Sequence, residues 1–134
     1  LSNYSSIGTP SYIYGIEFSP NSNILYCSSS YEIYQIDLTN NTSTLIGSGG
    51  WALQLASDNK IYVTEYLQNS LGVINNPDII GTGCNYAQNA VNLLSGMSRI
   101  GLPTFFSSIF IGTINDLDAL VYPAVNGYTI SPGS

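Results

Sequence analysis

The residues in this chain best suited to chemistry are aromatic. Among its 134 residues are eleven tyrosines and a single tryptophan, Trp51. Tyr and Trp join an apolar ring to a hydrogen-bonding tip. At a surface such side chains stack on sugar rings or clamp a peptide. Tyr12, Tyr14, Tyr31 and Tyr66 stand near turn-forming residues and are the expected binding residues. Tyr26, Tyr34, Tyr62 and Trp51 lie inside apolar runs and are expected to pack one sheet against the next.

The remaining chemical groups point to few reactions. Eight carboxylates stand against Lys60 and Arg99, giving a net charge of −6, and there is no histidine. The commonest general base and metal ligand is therefore missing. Serine is abundant, but nothing activates it and no G-x-S-x-G turn occurs. "GTGCNY" has glycines without the lysine of a phosphate loop. In "NDLD", Asp116 and Asp118 would point the same way in an extended segment and offer oxygens to Ca²⁺. That motif lacks the glycine and further acids of a calcium loop, so solvated linker carboxylates are expected. Asp58 is read as a turn residue, and Glu17 and Glu65 as solvent-facing strand positions. No catalytic residue, metal site or cofactor is expected, and the chain is read as a non-enzyme.

Cys27 and Cys84 are too far apart in sequence for a metal knuckle. Two arrangements remain open: a disulfide formed in an oxidising compartment, or two separate buried thiols.

Composition narrows the class further. The hydrophobic fraction of 44% is enough for a core, while only 7% of residues are charged, against roughly 25% in typical soluble domains. Polarity comes from Ser, Asn, Thr, Gly and Tyr, which suit strand surfaces and turns. Two cations form no cluster able to neutralise phosphates, which argues against nucleic acid and anionic lipid as partners. No apolar run reaches the ~18 residues of a membrane helix, so direct membrane insertion is not expected.

The elements that must position these residues are short strands. Runs of Tyr, Ile, Val and Leu alternate with Gly, Pro, Asn, Asp and Ser. Strands are predicted over 12–18, 24–28, 32–38, 43–46, 52–55, 60–65, 71–74 and 90–94, with tight turns at "SPNSN" and "SDN". The two halves look like copies. "YGIEFSPNSNILYCSSSYEIYQIDL" aligns with "WALQLASDNKIYVTEYLQNSLGVIN" at an offset of about 36–38 residues, a period typical of propeller blades. The expected fold is all-β: a partial β-propeller of two to three four-stranded antiparallel blades over residues 1–111. A linker or the start of another β domain follows over 112–134. "NPDIIG" is expected to form a helical turn because Pro77 suits a helix start. "GLPTFFSSIF" is expected to turn at Gly101-Leu102-Pro103 and close the module with a strand over 105–111. Two to three blades do not close a ring. The chain, which opens in mid-pattern, is therefore expected to be a piece of a longer polypeptide, with its other blades supplied there or by a neighbouring chain.

The ordered set "YGIEFSPNSNILYCSS", "YQIDL", "LQLASDNKIYV", "LGVINNPDIIGTGCNY" and "SRIGLPTFFSSIF" resembles the propeller-like module of large secreted Bacteroidetes proteins. Those multidomain proteins carry PKD-like domains and gliding-motility-associated C-terminal ends. The resemblance covers residues 14–110. It implies an exported, extracellular or cell-surface protein sent out by the type IX route. Its part there would be non-catalytic interaction or display, in adhesion or gliding, toward a protein or polysaccharide ligand. Alternatives are a carbohydrate-binding, lectin-like propeller and a non-catalytic segment of a secreted hydrolase. Nothing in the chain matches the C-terminal secretion signal of that family.

Overall fold

The computed structural model describes residues 7–102. Eight strands occupy them: β1 Ile13–Phe18, β2 Ile24–Ser29, β3 Glu32–Asp37, β4 Thr42–Ser48, β5 Gly50–Leu55, β6 Ile61–Glu65, β7 Ser70–Ile74 and β8 Tyr86–Asn92. They form two antiparallel four-stranded sheets, each a simple meander in the orders β1-β2-β3-β4 and β5-β6-β7-β8. The all-β class and the four-stranded unit agree with expectation. The described residues form two open sheets, not a closed ring.

The turns follow from local hydrogen bonding. At the β1–β2 turn the Ser19 hydroxyl donates to Asn21 Oδ1 at 2.8 Å and accepts from the Ile24 N–H at 3.1 Å. At the β5–β6 turn Asp58 accepts from the Lys60 N–H and the Tyr62 hydroxyl, and Asn59 takes a left-handed φ of 62°. Asn tolerates that conformation because its short polar side chain bonds locally.

Strand alternation sorts β2 into two faces. Ile24, Tyr26 and Ser28 share one face; Leu25, Cys27 and Ser29 share the other. The first face packs on the second sheet. Ile24, Tyr26 and Ile33 join Leu53, Ile61, Val63, Ile74 and Cys84 in one apolar cluster. Each fully buried Ile, Leu or Val there contributes roughly 1.5–3 kcal/mol, more than the roughly 0.5–1.5 kcal/mol net of a hydrogen bond. Packing therefore holds the sheets together, and polar contacts set their alignment. Tyr26, fully buried, donates its hydroxyl to the Pro77 carbonyl at 2.9 Å and accepts from Gln35 Nε2 at 2.7 Å. Gln35 also donates to the Ile79 carbonyl and accepts from the Gly81 N–H, both at 2.7 Å. The loop after β7 is thus pinned to the first sheet.

The first strands of the two sheets lie side by side. A Cβ on Gly15 would sit 2.5 Å from the Trp51 carbonyl oxygen and 3.2 Å from Ala52 Cα. Two residues on, Glu17 Oε2 accepts from the Leu55 N–H at 2.8 Å. β1 and β5 therefore run in the same sense. The chain passes from β4 to β5 through Gly49 and Gly50. Gly49 has a φ of 91°, and its N–H donates to the Tyr31 carbonyl at 2.5 Å. A Cβ on Gly50 would lie within 2.7 Å of both Ile33 and Val63.

Three expectations are corrected. Pro77 opens a turn, closed by the Ile79 N–H on the Asn76 carbonyl, and the only helical turn among the described residues is a 3₁₀ turn at Gly81–Cys84. The last strand among the described residues is Tyr86–Asn92, not 90–94. Tyr26 packs between the sheets, but Trp51 is only half-buried and stands among the surface tyrosines. The expected closing strand at 105–111, the boundary at 111/112, and Asp116 and Asp118 lie outside the described residues.

Candidate binding surface

Two β-bulges aim aromatic side chains at one rim of the module. In β1, Tyr14 is the extra residue between the pairs Ile13–Ser29 and Gly15–Ser28. In β5, the stretch holding Trp51 and Ala52 has one residue more than its partner β6, between the pairs Gly50–Glu65 and Leu53–Val63. A bulge kinks the strand and re-aims its side chain. The Trp51 ring ends up surrounded edge-on by Tyr14 at 5.2 Å, Tyr31 at 4.9 Å and Tyr66 at 6.2 Å between ring centroids. Such edge-to-face pairs each add about 0.5–1.5 kcal/mol beyond area burial. Tyr31 reaches the cluster from the β2–β3 hairpin tip, where its φ is 72°, and Tyr66 from the β6–β7 tip. Three of the four sequence-predicted tyrosines thus meet around one indole. Tyr12 does not join them; it is 87% exposed.

A cleft of about 380 Å³ opens beside this cluster, lined by Tyr31, Tyr66, Glu65, Gln68, Gln88 and Asn89, with Gly49 on its wall. Its polar side comes from β8, where residues 88–90 form an irregularity opposite Gly72. Gln88 Nε2 donates to the Ser48 carbonyl. The Asn89 N–H donates to both Glu65 carboxylate oxygens at 3.1 Å, and the Ser70 hydroxyl lies 3.0 Å from Glu65 Oε2 and 2.8 Å from Asn89 Oδ1. Glu65 is 3% exposed, so the expectation of a solvent-facing strand position is corrected. It shares the β6 face of Ile61 and Val63, and that alternation is legible in the sequence. Glu17 is half-buried and bridges β1 to β5. Asp58 serves its turn as expected.

Tyr86 supports the cleft from behind. Its ring lies against Gly47 and Gly72, where any Cβ would collide with it, and its hydroxyl donates to the Ser48 carbonyl at 3.1 Å. Burial, and then the Glu65 carboxylate, push its phenol well above the ordinary tyrosine value. Sequence reasoning missed Tyr86, Gln68, Gln88 and Asn89. The only available signal was their polarity, which also fits a plain loop.

Of the two arrangements open to the cysteines, the structure has two free buried thiols. Cys27 lies with Leu25 and Ile36 on one face of the first sheet, and Cys84 in the cluster between the sheets. Burial raises both thiols above their ordinary value, so neither is a poised nucleophile. Among the described residues no group of His, Cys, Asp and Glu could hold a metal ion, and no helix is long and apolar enough to cross a membrane.

Compared with known proteins, the chain matches no family model, no curated protein and no solved structure.

Proposed function

We propose that the chain is a non-catalytic, propeller-type module of an exported cell-surface protein. It serves as an interaction or display scaffold in adhesion or gliding, and is completed by further four-stranded sheets of its own kind. The observation that carries this reading is an unequal pair of equivalent faces. In the repeat, Ile16, Leu25, Cys27 and Ile36 correspond to Leu53, Ile61, Val63 and Ile74. In the second sheet this face is buried against the first, with Leu53 7% exposed. In the first sheet Leu25, Cys27 and Ile36 are buried too, in a small cluster with Ile7 and Leu38, whereas Ile16 is 59% and Phe18 47% exposed along the β1 side of that face. The β1 side of this face is thus open in the first sheet where its counterpart, Leu53, is covered in the second. Exposed apolar area of this kind marks an interaction surface. The parallel run of β1 and β5 is how inner strands stand around a propeller axis. The export and cell-surface parts of the reading rest on the sequence resemblance.

Two measurements test the proposal. On intact source cells, added protease should digest the chain; full protection that ends only on lysis overturns the surface location. In solution, the isolated chain should associate with rising concentration in sedimentation velocity. A strictly monomeric chain that also fails to bind an apolar dye overturns the stacking.

A further inference from the structure

We propose that the cleft beside Trp51 binds a neutral oligosaccharide, with Tyr66 and Tyr31 as stacking surfaces and Gln68 and Asn89 as hydroxyl partners. The site lies wholly within residues 31–89 and does not rest on the stacking of further sheets.

The lining selects the ligand class. An apolar ligand would have to strip water from the exposed amides of Gln68, Gln88 and Asn89 without replacing it, which is costly. An anion meets the Glu65 carboxylate and no cation, since neither Lys60 nor Arg99 lines the cleft. A cation meets one carboxylate, whose two oxygens already accept from the Asn89 N–H. A sugar ring offers C–H faces to aromatic rings and hydroxyls, both donor and acceptor, to side-chain amides. The cleft supplies both kinds of surface. Tyr31 and Tyr66 are each about half exposed, at 54% and 42%. Among the described residues the Gln68 side chain makes no hydrogen bond, and Asn89 engages only its Oδ1. These amides keep capacity for a ligand. Their neighbours are fixed: Tyr31 by the Gly49 N–H on its carbonyl, and Tyr66 by its contact with Trp51. A preorganised wall loses little freedom on binding.

Trp51 is the single tryptophan of the chain and touches both tyrosines, so its fluorescence reports on this site. The experiment titrates the whole chain with soluble gluco-, xylo- and manno-oligosaccharides and with polygalacturonate as an anionic control. A saturable change in Trp51 emission at millimolar neutral sugar is expected, with none for polygalacturonate. Tyr66→Ala and Gln68→Ala should each weaken binding about tenfold, while Tyr12→Ala, outside the cluster, should leave it unchanged. Gln68 is exposed, so its truncation spares the fold if Tyr66→Ala does not. Absence of any response in the folded wild type overturns the assignment. So does binding that survives Gln68→Ala, binding lost in Tyr12→Ala, or a response to the anionic polymer alone. None of these outcomes bears on self-association, so failure here is separable from failure of the stacking proposal.

Discussion

At the residue scale, Trp51 and Asp37 each carry a definite consequence. The Trp51 indole N–H is buried and has no acceptor among the described residues. A buried donor left unpaired forgoes about 1–3 kcal/mol. The ring therefore earns its place through contact with Tyr14, Tyr31 and Tyr66. Trp51→Phe should change unfolding free energy by less than about 1 kcal/mol, whereas Trp51→Ala should cost about 2–4 kcal/mol; urea unfolding of the two variants compares them. Asp37 accepts from the Thr39 N–H, the Asn40 N–H and the Asn40 side-chain amide. The Asn40 amide first, then the Thr39 N–H, hold its carboxyl below the usual aspartate value. A lowered folded-state value means that its contribution is complete above the unfolded value of about 3.9 and fades as pH falls through the folded one. Asp37→Asn should then lower the melting temperature at neutral pH and flatten its decline below about pH 4. A decline as steep as that of the wild type would show that Asp37 is not the titrating group. Neither property was legible in the sequence. Trp51 looks like a core residue because it opens an apolar run, and only the bulge turns it outward. Asp37 looks like any strand-end acid.

At the element scale, the strands were legible because the core imposes alternation. β2, β3, β6 and β7 each have a buried face, and their predicted limits hold within a residue or so. β8 is mostly exposed and irregular, so "YAQNAVN" carries no alternation and its position was misjudged by several residues. The β4–β5 crossover reads in sequence as a glycine-rich link, but its demand is steric. Gly50 fills a space bounded by Ile33 and Val63. Gly50→Ala should destabilise the fold by about 1–3 kcal/mol through overpacking. A thermal midpoint unchanged from the wild type would mean that the two sheets can part at this joint without loss.

At the scale of the whole molecule, the repeat in the sequence became two stacked sheets, and its period told which face of each is which. Ile16→Glu combined with Phe18→Glu places charge on the exposed β1 side of the first sheet. Both positions are already about half exposed, so the monomer should keep its fold within about 1 kcal/mol. Association in sedimentation should fall at least about tenfold; undiminished association would locate the contact elsewhere. The common direction of β1 and β5 has one more consequence. Tyr14 and Trp51 occupy equivalent bulges, so corresponding ends of both sheets emerge on the same side. Each further sheet added in this manner would bring its own aromatic bulge to that side. The surface would then be multivalent by construction: a polymer long enough to bridge two positions would meet the second at high effective concentration and leave far more slowly than a short one.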